Sequence, residues 1–329
     1  MSLFRSRLRH VATALALLAV PLAPLGVQAG AADYPDRPIN LVVPFGPGSV
    51  TDTLARIAAK GLSDAMGQPV VVQNKPGAGG NIGAAEVARA EPDGYTLLLG
   101  PTSTNAVNPS LYKNLRFNPL RDFVAITNLA TVANVLVVNP NVPAKTVREL
   151  IGLVPSEHYS YASTGNGGSM HLSGELFNAM TKTQSLHVPY KGGGAALADL
   201  LPGRVDMMFC NLPLCLPHIK SGQLRALAVT TSQRSALLPD TPSMAEAGLP
   251  GYEVNGWFGL FAPAKTDPAI VNKLNTEVRK ILDMPEIKEQ LLMQGAEPAG
   301  GTPEEFTQFV KAEHDKWAKV IQDAGISLE

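Results

Sequence analysis

From residue 39 onward, short apolar runs alternate with longer stretches whose apolar residues return every three or four positions. Runs at 39–43, 69–73 and 95–99 read as strands, with helices at 51–65 and 82–90 between them. That rhythm predicts βαβ units in a largely parallel sheet. Strands are expected again near 123–130 and 133–139, and then at 159–163, 186–189, 204–210 and 224–230. Helices at 170–180, 195–201 and 213–221 separate them. Beyond Pro239 and Pro242 the pattern gives a strand at 253–262, helices at 267–283 and 285–293, and a last amphipathic helix ending near Ala324. Thr146-Val147-Arg148-Glu149 and Thr302-Pro303-Glu304-Glu305 are capping boxes, and each marks a helix start. A chain of 329 residues exceeds the usual size of one core. An α/β protein of two lobes is expected, with a small-molecule cleft between them.

Two strand-to-helix junctions share one design. In Pro44-Phe45-Gly46-Pro47-Gly48-Ser49 the proline and glycine residues end the strand, and Ser49 stands at the N-cap. Asp52, three residues on, matches the acidic half of a capping box. In Thr164-Gly165-Asn166-Gly167-Gly168-Ser169 a strand again runs into a Gly-rich turn, with Ser169 placed as N-cap. The first N–H groups of a helix lack intrahelical partners and carry the positive end of its dipole. Both junctions therefore suit a carboxylate or a phosphate. Gly48 and Ser49 would grip one side of such a ligand, and Thr164, Gly165, Gly167, Gly168 and Ser169 the other. Thr102, Ser103 and Asn105 follow another strand at its carboxyl end, where ligands of open α/β sheets sit, and are expected on the floor. Asp52 beside an anion has its charge absorbed by capping N–H groups, or meets an ammonium on the ligand. Asp206, near a strand start, reads as a structural partner, a hinge residue or a ligand contact. Phe45 and Trp257 read as core rings or as a bias toward aromatic ligands.

Composition narrows the possibilities. Hydrophobic residues at 45% and charged residues at 17% describe a globular chain, not a disordered one. The first 31 residues differ in kind: Arg5, Arg7 and Arg9 precede an apolar run and small residues around Ala29, the layout of a secretory signal peptide. Pro21 and Pro24 interrupt that run before the ~20 residues that a spanning helix needs. Its removal leaves 24 basic residues against 28 acidic ones, without a Lys/Arg run, so neither nucleic acid nor an anionic membrane surface is expected as partner. Periplasmic export is the expected address. Cys210 and Cys215 lie among apolar residues and read as packing positions, with a disulfide possible in an oxidising compartment.

Other chemistries fit poorly. Gly77, Gly79 and Gly80 follow a strand, but Ile82 stands where a dinucleotide fingerprint wants glycine, and no acidic residue follows at the ribose position. No Walker A sequence occurs, the histidines show no metal spacing, and no cofactor is expected. An exported serine hydrolase using Ser169 and His171 is the alternative, yet no Gly-x-Ser-x-Gly elbow surrounds the serine and residues two apart on a helix do not face each other. His171 reads as a helix-face residue near the pocket.

Taken in order, several motifs resemble one family. These are Tyr34-Pro35-Asp36-Arg37-Pro38-Ile39, the Pro44–Ser49 loop with Asp52, Asn74-Lys75-Pro76-Gly77-Ala78-Gly79-Gly80, and Pro92-Asp93-Gly94-Tyr95. Thr164–Ser169 with His171, Val188-Pro189-Tyr190-Lys191-Gly192 and Gly222-Gln223-Leu224-Arg225-Ala226-Leu227-Ala228 continue the series. The chain resembles the periplasmic substrate-binding proteins of tripartite tricarboxylate transporters, the Bug or TctC-like receptors. The resemblance implies a type II periplasmic-binding-protein fold, with one lobe from 32–131 and 245–329, the other from 132–244, and hinges near 130 and 244. It also implies a monomeric receptor that delivers a di- or tricarboxylate, aromatic acid or acidic amino acid to integral membrane permease subunits. In that family the two Gly-rich loops hold the ligand carboxylate, partly through ordered waters. The sequence departs from the family where a second glycine usually ends the first loop and here stands Ser49, and at Ser163, an often small position that can add a hydroxyl.

Overall fold

Residues Phe123–Val138 form a single strand, β4, in the computed structural model, which describes residues 34–154 and 159–324. The leader segment and His158 lie outside the described residues. At about 3.3 Å per residue β4 spans roughly 50 Å, long enough to serve two sheets. Up to Ala133 it pairs antiparallel with β9 (Asn255–Pro263), and with β10 (Ala296–Gly300) on its other edge. From Asn134 its partners are β7 (Met207–Asn211) and β8 (Arg225–Val229). The sequence pattern predicts two strands here. The chain instead runs through, with register shifts against β9 between Ala125 and Thr127 and between Asn128 and Ala130.

The first half of the sheet holds β1 (Ile39–Val43) between β2 (Val70–Asn74) and β3 (Thr96–Pro101), all parallel, with β3 antiparallel to β9. The helices α1 (Val50–Met66), α2 (Asn81–Val87) and α3 (Asn108–Leu111) belong to this half. So do α8 (Pro268–Asp283), α9 (Pro285–Met293) and α10 (Pro303–Ala324). In the second half, β5 (Ser160–Ser163) lies parallel between β6 (Leu186–Pro189) and β7. Around it pack α4 (Val147–Leu153), α5 (Ser169–Thr181), α6 (Gly193–Leu200) and α7 (Leu212–Lys220). The strand order is β2-β1-β3-β9-β4-β7-β5-β6, with β8 and β10 added on β4.

Alternation along the strands assigns each face its helices. Leu41, Leu97 and Leu99 bury against Leu54 and Leu62 of α1 and Leu274 and Val278 of α8. Val42, Leu98, Trp257 and Phe261 face Phe306, Val310 and Trp317 of α10. In the second half, Leu136, Val138 and Phe209 pack toward Leu172 and Phe177 of α5, while Val135, Val137 and Met208 face α6 and α7.

Thr146 and Thr302 cap α4 and α10 as their motifs require, accepting the N–H of Glu149 and of Glu305 at 3.2 Å each. Cys210 and Cys215 are buried packing positions, as expected, and they are also joined as a disulfide, the alternative the sequence left open. β7 turns directly into α7, and this brings their Cα atoms to 6.2 Å, within bridging reach. Among the described residues no helix is long and apolar enough to cross a membrane.

Candidate functional site

The start of α1 is built as its motif predicts, with one exchange. Ser49 is the N-cap, and its Oγ accepts the Asp52 N–H at 3.1 Å. The Asp52 carboxylate does not close the box on Ser49. It accepts the N–H of Gly48 at 2.9 Å, and φ of +78° at Gly48 is what aims that donor inward. Asn74 Nδ2 donates to the same carboxylate at 2.9 Å and to the Phe45 carbonyl at 2.9 Å, so the Asn74 motif staples the loop. Arg56, one turn along, adds contacts at 3.0 and 3.1 Å. Burial alone would raise the Asp52 carboxyl, but the hydrogen bonds from Arg56, Gly48 and Asn74 outweigh it and hold the group below the usual carboxylate range. The Gly48 N–H is therefore spent inside the protein, and the helix start already carries its own anion.

The start of α5 is the opposite case. Its N-cap is Gly168, not Ser169, and no side chain caps it. The first intrahelical bond runs from Leu172 N–H to the Gly168 carbonyl, so the N–H groups of Ser169, Met170 and His171 have no acceptor within the helix. Ser169 instead holds the first turn from behind, its carbonyl accepting Ser173 Oγ at 2.8 Å.

Below this loop lies a buried polar stack that sequence reasoning did not find. The Gly167 N–H donates to His171 Nδ1 at 3.0 Å, which assigns the ring proton to Nε2, 3.6 Å from Glu175. The His171 ring stacks on His187 at 4.0 Å, and His187 on Tyr161 at 4.9 Å. Tyr161 donates to Glu175 at 2.5 Å, and its ring fits only because Gly174 has no side chain, since a Cβ there would lie 2.2 Å away. Ser163 Oγ sits 2.6 Å from His187 Nε2 and accepts the Gly165 N–H at 3.1 Å. Burial, with His187 beside it, pushes His171 down to about 3, and burial pushes His187 down to about 4, so both rings are neutral at pH 7. The stack fixes the Gly-rich loop from beneath and leaves no base for Ser169.

The expected loops converge. A Cβ on Gly167 would meet Leu111 at 2.8 Å and come within 3.8 Å of Asn108 Oδ1, which places the second loop against α3. Asn108 Nδ2 donates to the Gly79 carbonyl and to Asn81. A Cβ on Gly80 would meet Thr104 and Phe45, so the first loop joins the same group. Ser169 Oγ lies 3.6 Å from the Cβ position of Gly256 on β9. Ser103, Gly165, Gly168 and Ser169 are half-buried here, and Gly48 and Thr164 are exposed.

Other expected residues are placed differently. Thr102 is buried and bonded to the Trp257 backbone at 2.8 Å, and Trp257 is a core ring. Asn105 is fully buried; its Oδ1 takes the Thr104 hydroxyl, and its Nδ2 has no partner. Ser163 points into the histidine stack. Asp206 binds the Ser160 N–H at 2.7 Å at the amino ends of β5 and β7, the far end of those strands from residues 164–169. The crossing point supplies a missed tie: Asn134 bonds Asn211 at 2.7 Å and Ser173 at 3.1 Å, linking α5 to β4 where its partners change.

A sheet in two halves threaded by one strand, with loops gathered at one uncapped helix start, defines the class: a two-lobed solute-binding protein of the type II periplasmic-binding-protein fold. The model of the tripartite tricarboxylate transporter family receptor, TctC, matches residues 54–326. Protein BugT of Bordetella pertussis is 40% identical over 320 residues, covering 96% of this chain and 98% of BugT. Two solved structures from Rhodopseudomonas palustris align over nearly the whole fold. Rpa4515 with adipate is 40% identical, with TM-score 0.79, covering 90% of this chain and 100% of that one. MatC (Rpa3494) with bound malate is 34% identical, with TM-score 0.76, covering 88% and 100%. The chain belongs to the tripartite tricarboxylate transporter receptor family: it is a periplasmic solute-binding receptor, not an enzyme, of the type that works with membrane permeases.

Proposed function

We propose that the chain traps a small carboxylate at the start of α5 and delivers it to the permease of a tripartite transporter. The observation that carries this reading is the asymmetry of the two helix starts. α1 is occupied by its own Asp52, whereas α5 opens with bare N–H groups in a turn pressed against α3 and β9. One ligand carboxylate belongs on Ser169 and Met170, with Ser49, Ser103 and Thr164 facing the rest of the molecule. The adipate and malate of the two related structures support a dicarboxylate. Micromolar affinity needs ~8 kcal/mol. Charge-assisted bonds of about 1.5–3 kcal/mol each reach that with four to six donors once ordering costs are met.

The chain is exported by its N-terminal leader and acts as a monomer. Its lobes, 32–131 with 245–329 and 132–244, close by a hinge motion where β4 changes partners and near 244. Gly168 provides the test. Its φ of −77° suits any residue, and no atom lies within 4 Å of its Cβ position, so Gly168→Val folds normally and fills ligand space. Thermal-shift and calorimetric titration with adipate and malate should stabilise the parent protein and leave this variant unmoved. Equal responses in both would overturn the assignment.

A further inference from the structure

α3 opens with an asparagine whose two amide ends face different halves of the molecule. The backbone of Asn108 is held on both sides: its N–H donates to the Ser103 carbonyl, and its carbonyl accepts the Tyr112 N–H at 2.9 Å. The side chain is 2% exposed and equally fixed. Its Nδ2 donates to the Gly79 carbonyl at 3.0 Å and to Asn81 Oδ1 at 2.6 Å. A carbonyl can only accept, so Gly79 settles which end of the Asn108 amide is the nitrogen. Both of these partners belong to the first half, in the Gly-rich turn before α2 and at the start of that helix.

The oxygen is the end left over. Asn108 Oδ1 looks toward the turn before α5, within 3.8 Å of the Cβ position of Gly167. Among the described residues it has no hydrogen-bond partner. The unpartnered polar atoms closed off from solvent there are Asn105 Nδ2, Asn128 Oδ1 and Asn255 Oδ1, so Asn108 Oδ1 keeps an open face. The Gly167 N–H cannot serve it, being committed to His171 Nδ1 at 3.0 Å. Ser103 and Ser169, half-buried in the same group of loops, carry hydroxyls that donate or accept as a ligand requires. The Asn108 oxygen can only accept, and a polar atom on so buried a side chain normally has its partner.

We infer that Asn108 is a specificity-determining residue, and that the ligand is a dicarboxylate bearing a hydroxyl or ammonium group on the carbon beside its bound carboxylate. This rests on the carboxylate assignment at the start of α5. Gly167 stands two residues before Ser169, where the bare N–H groups of that helix begin. A donor on the carbon next to the carboxylate is therefore the part of the ligand that meets the oxygen. An unsubstituted acid in the same place excludes water from the oxygen and gives it no donor, and this penalises that acid.

The full chain is titrated by calorimetry with two matched pairs: both enantiomers of malate against succinate, and 2-hydroxyadipate against adipate. In the pair that binds, the hydroxy acid should be held about tenfold tighter or more than its unsubstituted partner. Asn108→Leu, similar in size but without the oxygen, should make the two members bind equally, whereas a merely structural loss would weaken both in proportion. Asn81→Ala loosens the same staple but leaves the oxygen in place, and should keep the preference. The parent comparison needs no variant, so it decides even where Asn108→Leu fails to fold. Equal affinities within a pair in the parent would overturn the inference and leave the carboxylate assignment standing. So would a preference that survives Asn108→Leu, or one that Asn81→Ala also abolishes. Binding of none of these acids would overturn the carboxylate assignment itself, and this inference with it.

Discussion

Replacing Asp52 by Asn tests whether the first helix start is filled by the protein's own carboxylate. Asp52 is 3% exposed and receives the Gly48 N–H, the Asn74 amide and Arg56. The first two are part-buried bonds to a charge, worth about 1.5–3 kcal/mol each. The Arg56 pair, with a guanidinium 55% exposed, adds about 0–1 kcal/mol. Asn keeps one acceptor and turns an NH2 toward donors it cannot satisfy. A net loss of about 2–3 kcal/mol is expected, or on the order of 5–10 °C in melting temperature. Urea denaturation followed by tryptophan fluorescence at pH 7 measures it, with Arg56→Met as a control that loses under about 1 kcal/mol. The pH dependence is also fixed in sign. A carboxyl held low in the folded state stabilises fully above its unfolded pKa, about 4, and loses that contribution as pH falls through the lower folded value. The gap between parent and variant should therefore narrow only below about pH 4. A gap under about 0.5 kcal/mol at pH 7, within the range of ordinary surface substitutions, or one already closing at pH 6, would refute the reasoning.

Other consequences can be checked in the same way. His171, pushed down to about 3 when folded, binds a proton near 6.5 when unfolded, so stability should fall as pH drops from 6.5 toward 3, by about 1.4 kcal/mol per unit for this one ring. His171→Asn keeps an acceptor for Gly167 N–H and should remove about one proton from that slope in urea titrations; an unchanged slope would place the proton uptake elsewhere. Gly167→Ala meets Leu111 at 2.8 Å with φ of +79°, and should cost about 1–2 kcal/mol or more by denaturation while weakening carboxylate binding. The six-residue ring closed by Cys210 and Cys215 should contribute about 2 kcal/mol, read as a lower urea midpoint after reduction; free thiols in the unreduced, denatured protein would contradict the bridge.

Where function follows from local chemistry, the sequence is a good guide. Ser49, Thr146 and Thr302 act three residues from their partners, and the spacing alone places them. β10 escapes notice because Ala296–Gly300 carries no apolar run and exists only by pairing with β4. β4 reads as two strands because Thr131 interrupts the apolar pattern between 130 and 133, whereas pairing with β9 runs through it to Ala133. The site divides on the same line. The Gly-rich turns are visible, but the stack beneath them joins Tyr161, Ser163, His171, Glu175 and His187, which only folding brings together. Ser169 looks like a cap because serine so often is one, while the backbone gives that place to Gly168. Asp206 precedes its strand and so belongs to the edge away from the ligand, a consequence of parallel topology, not of residue type.

Ligand capture as proposed depends on main-chain amides at one helix start, and amide NMR reads them directly. Titrating ¹⁵N-labelled protein with adipate and then malate should give its largest shifts at Ser169 and Met170, with Gly48 moving little because its N–H already belongs to Asp52. Saturable binding whose largest shifts fall at Gly48 and Val50 while Ser169 and Met170 stay still would contradict it.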